Sequence, residues 1–202
     1  MAFFMLRILK DNQYLTKTQK KIKRCFDVFF AIIALFLFGG IIILLIFLSR
    51  AFFKQSGIFK QERIGYKARP FTIFKIRSLN GLNNTQCAQN YSSFVRQTRL
   101  DELPQFYNVL IGDMSVVGPR PDLPGFADKL LGDNRIILTV KPGITGPASI
   151  YFKNEELLLK KQKKPDQYNL NVIWPKKVEI NKTYITEYSF FKDLYYILKT
   201  IF

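Results

Sequence analysis

The chain has 202 residues, enough for one globular domain with its own core and about one membrane element, and 31 Lys and Arg against 15 Asp and Glu leave a formal charge of +16. That balance calls for an anionic partner, whether lipid headgroups, a phosphorylated ligand or nucleic acid, without choosing among them. The absence of histidine excludes Ser-His-Asp and Cys-His catalysis and His-ligated metals, and two distant cysteines, Cys25 and Cys87, support neither a zinc site nor a disulfide framework.

In chain order, Phe3, Phe4, Met5, Leu6, Ile8 and Leu9 with Arg7 and Lys10 predict a short interfacial helix inside a basic N-terminal segment, 1–24. A second segment, 25–50, is dominated by Val28 to Leu48, which carries no charge and meets the roughly 20 residues a helix needs to cross about 30 Å of hydrocarbon. Basic residues flank it on both sides, Lys17 to Arg24 before and Arg50 to Arg69 after. A straight span would put one cluster outside, against the positive-inside tendency, whereas a hairpin entering and leaving by the same face satisfies both. Gly39-Gly40 is where such a hairpin could bend; the alternative is a single-span anchor in which the glycines ease packing against another helix.

The rest, 51–202, reads as a domain on the cytoplasmic side, where the basic flanks of the apolar run place it. Gly57 to Arg77 predicts two strands around a turn, and Asn80 to Asn90 a polar loop. Helix is expected from Tyr91 to Thr98 and on into LDELPQFYNVL, where Pro104 is acceptable in a first turn. Gly112 to Gly118, GPRP and KPGITG punctuate short apolar pieces, and Lys160 to Pro165 is a basic linker. Near the C-terminus Phe190, Phe191, Leu194, Tyr195, Leu198, Ile201 and Phe202 recur at helical spacing, with Lys192 and Lys199 off the stripe. That helix either lies on a bilayer or docks on the domain's own core.

Chemistry concentrates in RQTRLDELPQ, which brings Arg96, Arg99, Asp101 and Glu102 to a helix start. Neighbouring helical residues diverge by about 100°, so the two carboxylates have different roles. A helix N-terminus favours both an ionised Asp and an incoming phosphate, although an Asp that merely caps the helix explains this segment alone equally well.

KRCFD, FKQERIG, FKIRSL, RLDELPQ, GDMSVVGPRPD and VKPGITGPA, in that order, resemble the bacterial sugar transferase family, the monotopic phosphoglycosyl transferases that begin polyprenol-linked glycan assembly. The resemblance runs from Lys23 to the C-terminus and implies that 51–202 is a cytoplasmic catalytic domain with a membrane-associated C-terminal helix. It implies a helix-dominated α/β domain with a few short strands, a re-entrant membrane helix hairpin and interfacial amphipathic helices, on the cytoplasmic face of the bacterial inner membrane. It implies transfer of a sugar 1-phosphate from a UDP-sugar to polyprenol (undecaprenyl) phosphate, with UMP released and a covalent phosphosugar on Asp101. Glu102 would be the dyad partner in metal binding or proton handling, Mg²⁺ the cofactor held by the pair, and anionic lipids further partners. Nucleic acid is not expected, and homo-oligomers remain open.

Charge on the diphosphate needs fixed cations, for which Arg96 and Arg120 stand first, then Lys75 and Arg77, then Arg63. Pro119, Pro121, Gly143, Thr145 and Gly146 would shape the loops around the site. Arg24 and Asp27 match the family's basic residue and Asp at the start of the membrane segment, where they orient it or meet the lipid phosphate. Gly39-Gly40 replaces the Ser-Pro of many members, which permits a bend where proline would force one. The rival from another class is a membrane-anchored binder of nucleic acid or anionic lipid, which has no use for the dyad. A carboxylate-pair glycosidase fails, because adjacent residues do not oppose each other across a sugar.

Overall fold

A 37-residue helix, α1 (Lys17–Phe53), organises the chain. The computed structural model describes residues 14–79 and 85–202, so the interfacial helix expected at Phe3 to Lys10 lies outside the described residues. Thr16 and Gln19 start α1 with reciprocal side-chain bonds, Gln19 N to Thr16 Oγ1 at 3.1 Å and Thr16 N to Gln19 Oε1 at 2.8 Å. Lys54, left-handed at φ 52°, ends it. The helix is thus longer than the 25–50 segment expected and passes through Gly39-Gly40 without a helical break. Each glycine keeps its backbone N–H and C=O, and the ~1 kcal/mol of propensity it gives up is too little to interrupt a helix of this length.

Phe29, Phe36, Leu37, Ile43 and Phe47 stand exposed on α1, whereas Asp27, Ala31, Ala34, Leu45, Ser49 and Phe53 are buried. The buried residues lie towards both ends of the apolar run, and the domain holds each end by hydrogen bonds. On the N-terminal half, Lys23 Nζ donates to Val117 O at 2.8 Å and Arg24 donates to Val109 O and Leu110 O at 2.6 and 2.8 Å. On the C-terminal half, Tyr91 OH donates to Leu45 O at 2.9 Å and Ser49 Oγ to Arg77 O at 2.7 Å.

The predicted hairpin is present as β1 (Ile58–Ile64) and β2 (Pro70–Ile76), antiparallel, with Ile58 opposite Ile76 and Ile64 opposite Pro70. α2 (Gln86–Gln97) starts earlier than expected, capped by Thr85 within the stretch read as polar loop. A short-sequence polarity count misses it because its core face is only Ala88, Tyr91 and Val95. One 3₁₀ turn, Leu100–Glu102, separates α2 from α3 (Gln105–Ile111), with Pro104 just ahead of the first helical residue.

β3 (Ser115–Val117) and β4 (Gly143–Thr145) pair in parallel, Ser115 beside Gly143 and Val117 beside Thr145. Short helices α4 (Pro147–Tyr151), α5 (Glu155–Lys160) and α6 (Pro165–Tyr168) lead into α7 (Trp174–Thr186) and α8 (Phe190–Ile201). The domain is therefore helix-dominated with four short strands among the described residues.

The main core joins Ile64, Ile73, Val109, Met114, Val117 and Ile185, and a second cluster packs Leu45, Phe53, Ile76, Tyr91 and Val95. α8 docks on the domain through buried Asp193 and the Thr145–Thr200 contact, while Phe191, Tyr195, Leu198, Ile201 and Phe202 stay exposed.

Candidate active site

Two loops are pinned back to back to make the floor of a cleft. Gly118 N donates to Thr145 O at 2.9 Å and Gly143 N to Pro119 O at 2.8 Å, which ties GPRP to PGITG. The approach is so close that a Cβ on Gly143 would land on the Gly118 amide, and one on Gly146 on the Gly118 carbonyl. Pro119, Pro121, Gly143, Thr145 and Gly146 therefore set the backbone from which Arg120 projects, and Thr145 Oγ1 also meets Thr200 Oγ1 of α8 at 2.6 Å.

The other wall is built from α3 and β2. Asn108, fully buried, accepts from Phe74 N at 3.1 Å and donates to Thr72 O at 2.7 Å, fixing α3 against the strand that carries Lys75. Between them the 3₁₀ turn presents the dyad. Its Arg99 adopts φ 56°, a left-handed conformation rare for a side-chain-bearing residue and commonest where a site constrains the backbone.

Adjacent residues on a 3₁₀ turn point about 120° apart, and the two carboxylates have opposite surroundings. Glu102 is buried and gripped: Arg120 reaches Oε1 at 2.6 Å and Oε2 at 3.4 Å, and Lys75 reaches Oε1 at 3.0 Å. Burial pushes its carboxyl up, but the charges and hydrogen bonds of Arg120 and Lys75 outweigh that and hold it down at about 2. Asp101, facing the cleft, is pushed up to about 6 by burial and then by the Glu102 charge, which Lys75 and Arg120 only partly offset. Glu102 in turn raises the pKa of Arg120, whose side chain remains 41% accessible.

The cleft holds about 970 Å³. Lys75, Arg96, Arg99, Asp101, Glu102 and Arg120 line one part of it, and Asp122, Phe152, Trp174, Lys177 and Asn181 another. Arg96 is present but paired with Glu156 at 2.8 Å. Arg63 stands behind the GPRP loop, donating to Pro121 O at 3.3 Å and to Gln61. Burial and the neighbouring Arg120 lower the pKa of Arg63. Arg77 turns away, donating to Ser56 O at 2.7 Å over the Phe59 ring.

Arg24 and Asp27 lie at the joint of α1 with the domain. Arg24 binds the C-terminal carbonyls of α3, and Asp27 accepts from Ser115 Oγ at 3.0 Å and Val116 N at 2.9 Å. Gly39 and Gly40 have nothing near their Cα hydrogens and face open space.

Sequence reasoning missed Asp122, Lys177 and Asn181. Asp122 is pushed up to about 7, burial outweighing Lys177, Arg63 and Arg120. It sat in full view at the end of GPRPD. Lys177 and Asn181 come from a helix that carries no motif, and only their i, i+4 spacing marks a shared face.

No group of three or more Asp, Glu or Cys side chains able to hold a metal occurs among the described residues. Glu102 has its oxygens engaged by Arg120 and Lys75, which leaves Asp101 as the dyad's open carboxylate. One carboxylate fits Mg²⁺ only in the manner in which that ion shares its shell with substrate phosphates and water.

The family model described as bacterial sugar transferase matches residues 18–202. The UDP-glucose:undecaprenyl-phosphate glucose-1-phosphate transferase of Escherichia coli strain K12 is 32% identical over 93% of this chain and 41% of its own length. The uncharacterized sugar transferase EpsL of Bacillus subtilis strain 168 is 33% identical over 89% of this chain and 85% of its own. The UDP-N-acetylgalactosamine-undecaprenyl-phosphate N-acetylgalactosaminephosphotransferase of Aeromonas hydrophila is 31% identical over 89% of this chain and 43% of its own. The chain thus spans about two fifths of the first and third relatives and most of the second.

Proposed function

Since the chain belongs to the bacterial sugar transferase family, we propose that it moves a sugar 1-phosphate from a UDP-sugar to polyprenol phosphate, releasing UMP, with Asp101 as the attacking group. The observation that carries this reading is the asymmetry of the dyad: Glu102 is locked as a carboxylate by Arg120 and Lys75, whereas Asp101 faces the cleft without a cation in hydrogen-bond contact among the described residues.

An Asp101 carboxylate oxygen attacks the β-phosphorus, the bond from that phosphorus to the bridging oxygen breaks, and UMP departs with the electron pair. The sugar phosphate is left as an acyl phosphate ester on Asp101. A phosphate oxygen of the polyprenol phosphate then attacks the same phosphorus and returns the free carboxylate. Splitting the displacement lets one cleft serve a water-soluble donor and a membrane-held acceptor in turn. Arg120 and Lys75, oriented by Glu102, offer positive charge to the equatorial phosphate oxygens as charge builds on them. Asp101 would be the residue to hold a Mg²⁺ ion shared with the diphosphate, and the ion would supply further charge neutralisation.

The same reading keeps α1 in the cytoplasmic leaflet, as an unbroken helix that does not cross the bilayer. From Asp27 to Ser49 is ~33 Å along a straight helix, comparable with the hydrocarbon thickness, yet residues at both ends bind one domain. A domain on one side of a bilayer can do so only if α1 does not cross. Its exposed Phe, Ile and Leu face would lie in lipid, with the exposed stripe of α8 beside it.

The test is to give the purified protein a UDP-sugar and Mg²⁺ without acceptor lipid. UMP should be released and one phosphosugar mass should appear on Asp101. Asp101→Asn should lose both signals by about 10³-fold or more while melting like the wild type, since the amide is a far poorer nucleophile of nearly the same size. An adduct on another residue, or near-normal transfer by Asp101→Asn, would sink the assignment.

A further inference from the structure

We infer that the α7 wall of the cleft is the uracil subsite of the donor, with Asn181 reading the imide edge of the base; this rests on the reading of the donor as a UDP-sugar. Asn181 is only 5% exposed, yet its Oδ1 is buried with no hydrogen-bond partner. Ser149 Oγ, on α4, is buried and unpartnered as well, and both residues line the cleft that holds Asp101. Buried polar atoms are almost always satisfied, so two orphans sharing one cleft mark a place where something else supplies the partner.

The chemistry of the orphans matches one part of the donor. Uracil presents an N3–H donor flanked by two carbonyl acceptors. A carboxamide carries an acceptor and two donors side by side, so Asn181 can accept from N3–H and donate to the neighbouring carbonyl in one planar, two-pronged contact. The Ser149 hydroxyl can donate to the remaining carbonyl. Phe152 and Trp174 line the same region and are partly buried, offering flat apolar faces for a base.

The same cleft also carries positive charge for a nucleoside diphosphate. Lys177 lies one turn from Asn181 on the same face of α7, about 5–6 Å away between Cβ atoms. It is paired with Glu155 at 2.7 Å, and Arg120 lines the same cleft beside the dyad. A ligand with its base at Asn181 therefore shares one cleft with cations, as a ribose followed by phosphates requires.

The experiment measures binding of UMP and of N3-methyl-UMP to the full-length chain in detergent by calorimetry, alongside UMP release from UDP-sugars. The wild type should prefer UMP by about tenfold or more. Asn181→Leu, which keeps the branching and the number of side-chain heavy atoms, should weaken UMP by about 10- to 100-fold and erase the preference against the methylated base. Ser149→Ala, which opens little space, should weaken UMP several-fold and guards against misfolding of the first variant. If the wild type binds UMP and turns over UDP-sugars but Asn181→Leu binds UMP normally, the subsite is elsewhere. Unchanged UMP affinity with altered preference among donor sugars would assign Asn181 to the sugar ring and overturn the inference. A wild type that neither binds UMP nor acts on any UDP-sugar would overturn the proposed function itself, and this inference with it.

Discussion

Two places in the molecule bury charged side chains, and they treat them in opposite ways. At the joint between α1 and α8, Lys23 meets Asp193 at 2.7 Å and Asp193 also accepts from Tyr184 OH at 2.6 Å and Tyr188 OH at 3.1 Å. Burial and then Asp193 push both tyrosine pKa values well up, so the hydroxyls remain donors across the working pH range. Asp27 is likewise filled by Ser115 and Val116. Each carboxylate there is filled by hydrogen-bond donors, although burial still raises the Asp27 pKa, and the result is attachment. In the cleft Glu102, Glu155 and Glu156 are each paired with a cation, while Asp101 and Asp122 are pushed up by burial that nearby cations do not fully offset. The contrast teaches that a carboxylate facing a cleft without a cation bonded to it, rather than a buried one as such, marks where chemistry is available.

The sharpest way to break the comparison is at the joint. Asp193→Ala strands Lys23 without its carboxylate and should cost ~3–5 kcal/mol of stability, read from denaturant unfolding. A variant that unfolds like the wild type would show that the joint is ornamental.

Arg120→Ala comes next, with the fold expected to stand and the rate of UMP release to fall about 10²-fold. Lys at this position should rescue poorly, because an ammonium cannot span both Glu102 oxygens as the guanidinium does. Full activity in Arg120→Ala would move GPRP back to a purely structural corner.

The pH profile sharpens the same point. In the proposed reaction Asp101 must be a carboxylate to attack, and its pKa is raised, so the reactive form would be present above about 6 and lost as the pH falls below it. UMP-release kcat/KM should show an acid limb with an apparent pKa near 6, falling about tenfold per unit below it. A limb near 4 would mean that Asp101 is not perturbed as described.

The smallest effect belongs to α1. Gly39 and Gly40 face open space, so Gly39→Ala with Gly40→Ala should add ~1 kcal/mol of helix propensity per site and leave activity unchanged. Loss of activity in that pair, with unfolding unaffected, would show that a bend at the glycines is needed in lipid.

How much of this was legible in the sequence depended on whether the signal was local. The β1–β2 hairpin and α8 announce themselves by periodicity and were readable to within a few residues, whereas the apolar run announced α1 but not its start, eight residues before the expected 25. The divergence of Asp101 and Glu102 follows from helical geometry, whichever helix type carries them. Which carboxylate would be gripped was not readable, because Lys75 arrives from β2 and Arg120 from the far side of the β3–β4 pair. Arg77 shows the limit from the other direction: two residues from Lys75 in one motif, it points to Ser56 and not to the cleft. Arg24 and Asp27 carried a family pattern whose partners, the carbonyls of α3 and the amide of Val116, have no sequence signature. Asn108, Lys177 and Asn181 belong to the same class, residues made useful only by what folds against them.

The two-ended attachment of α1 has a practical corollary for anyone who wants this protein free of detergent. Trimming the apolar helix, the ordinary route to a soluble version of an anchored protein, would here remove Lys23, Asp27, Leu45 and Ser49 together. The Val117 carbonyl, Asp193, Tyr91 and the Arg77 carbonyl would all lose their mates, and both core clusters would be laid open. The helix is a structural member of the domain, so solubility has to come from repainting its outward Phe, Ile and Leu positions with polar residues and not from truncation.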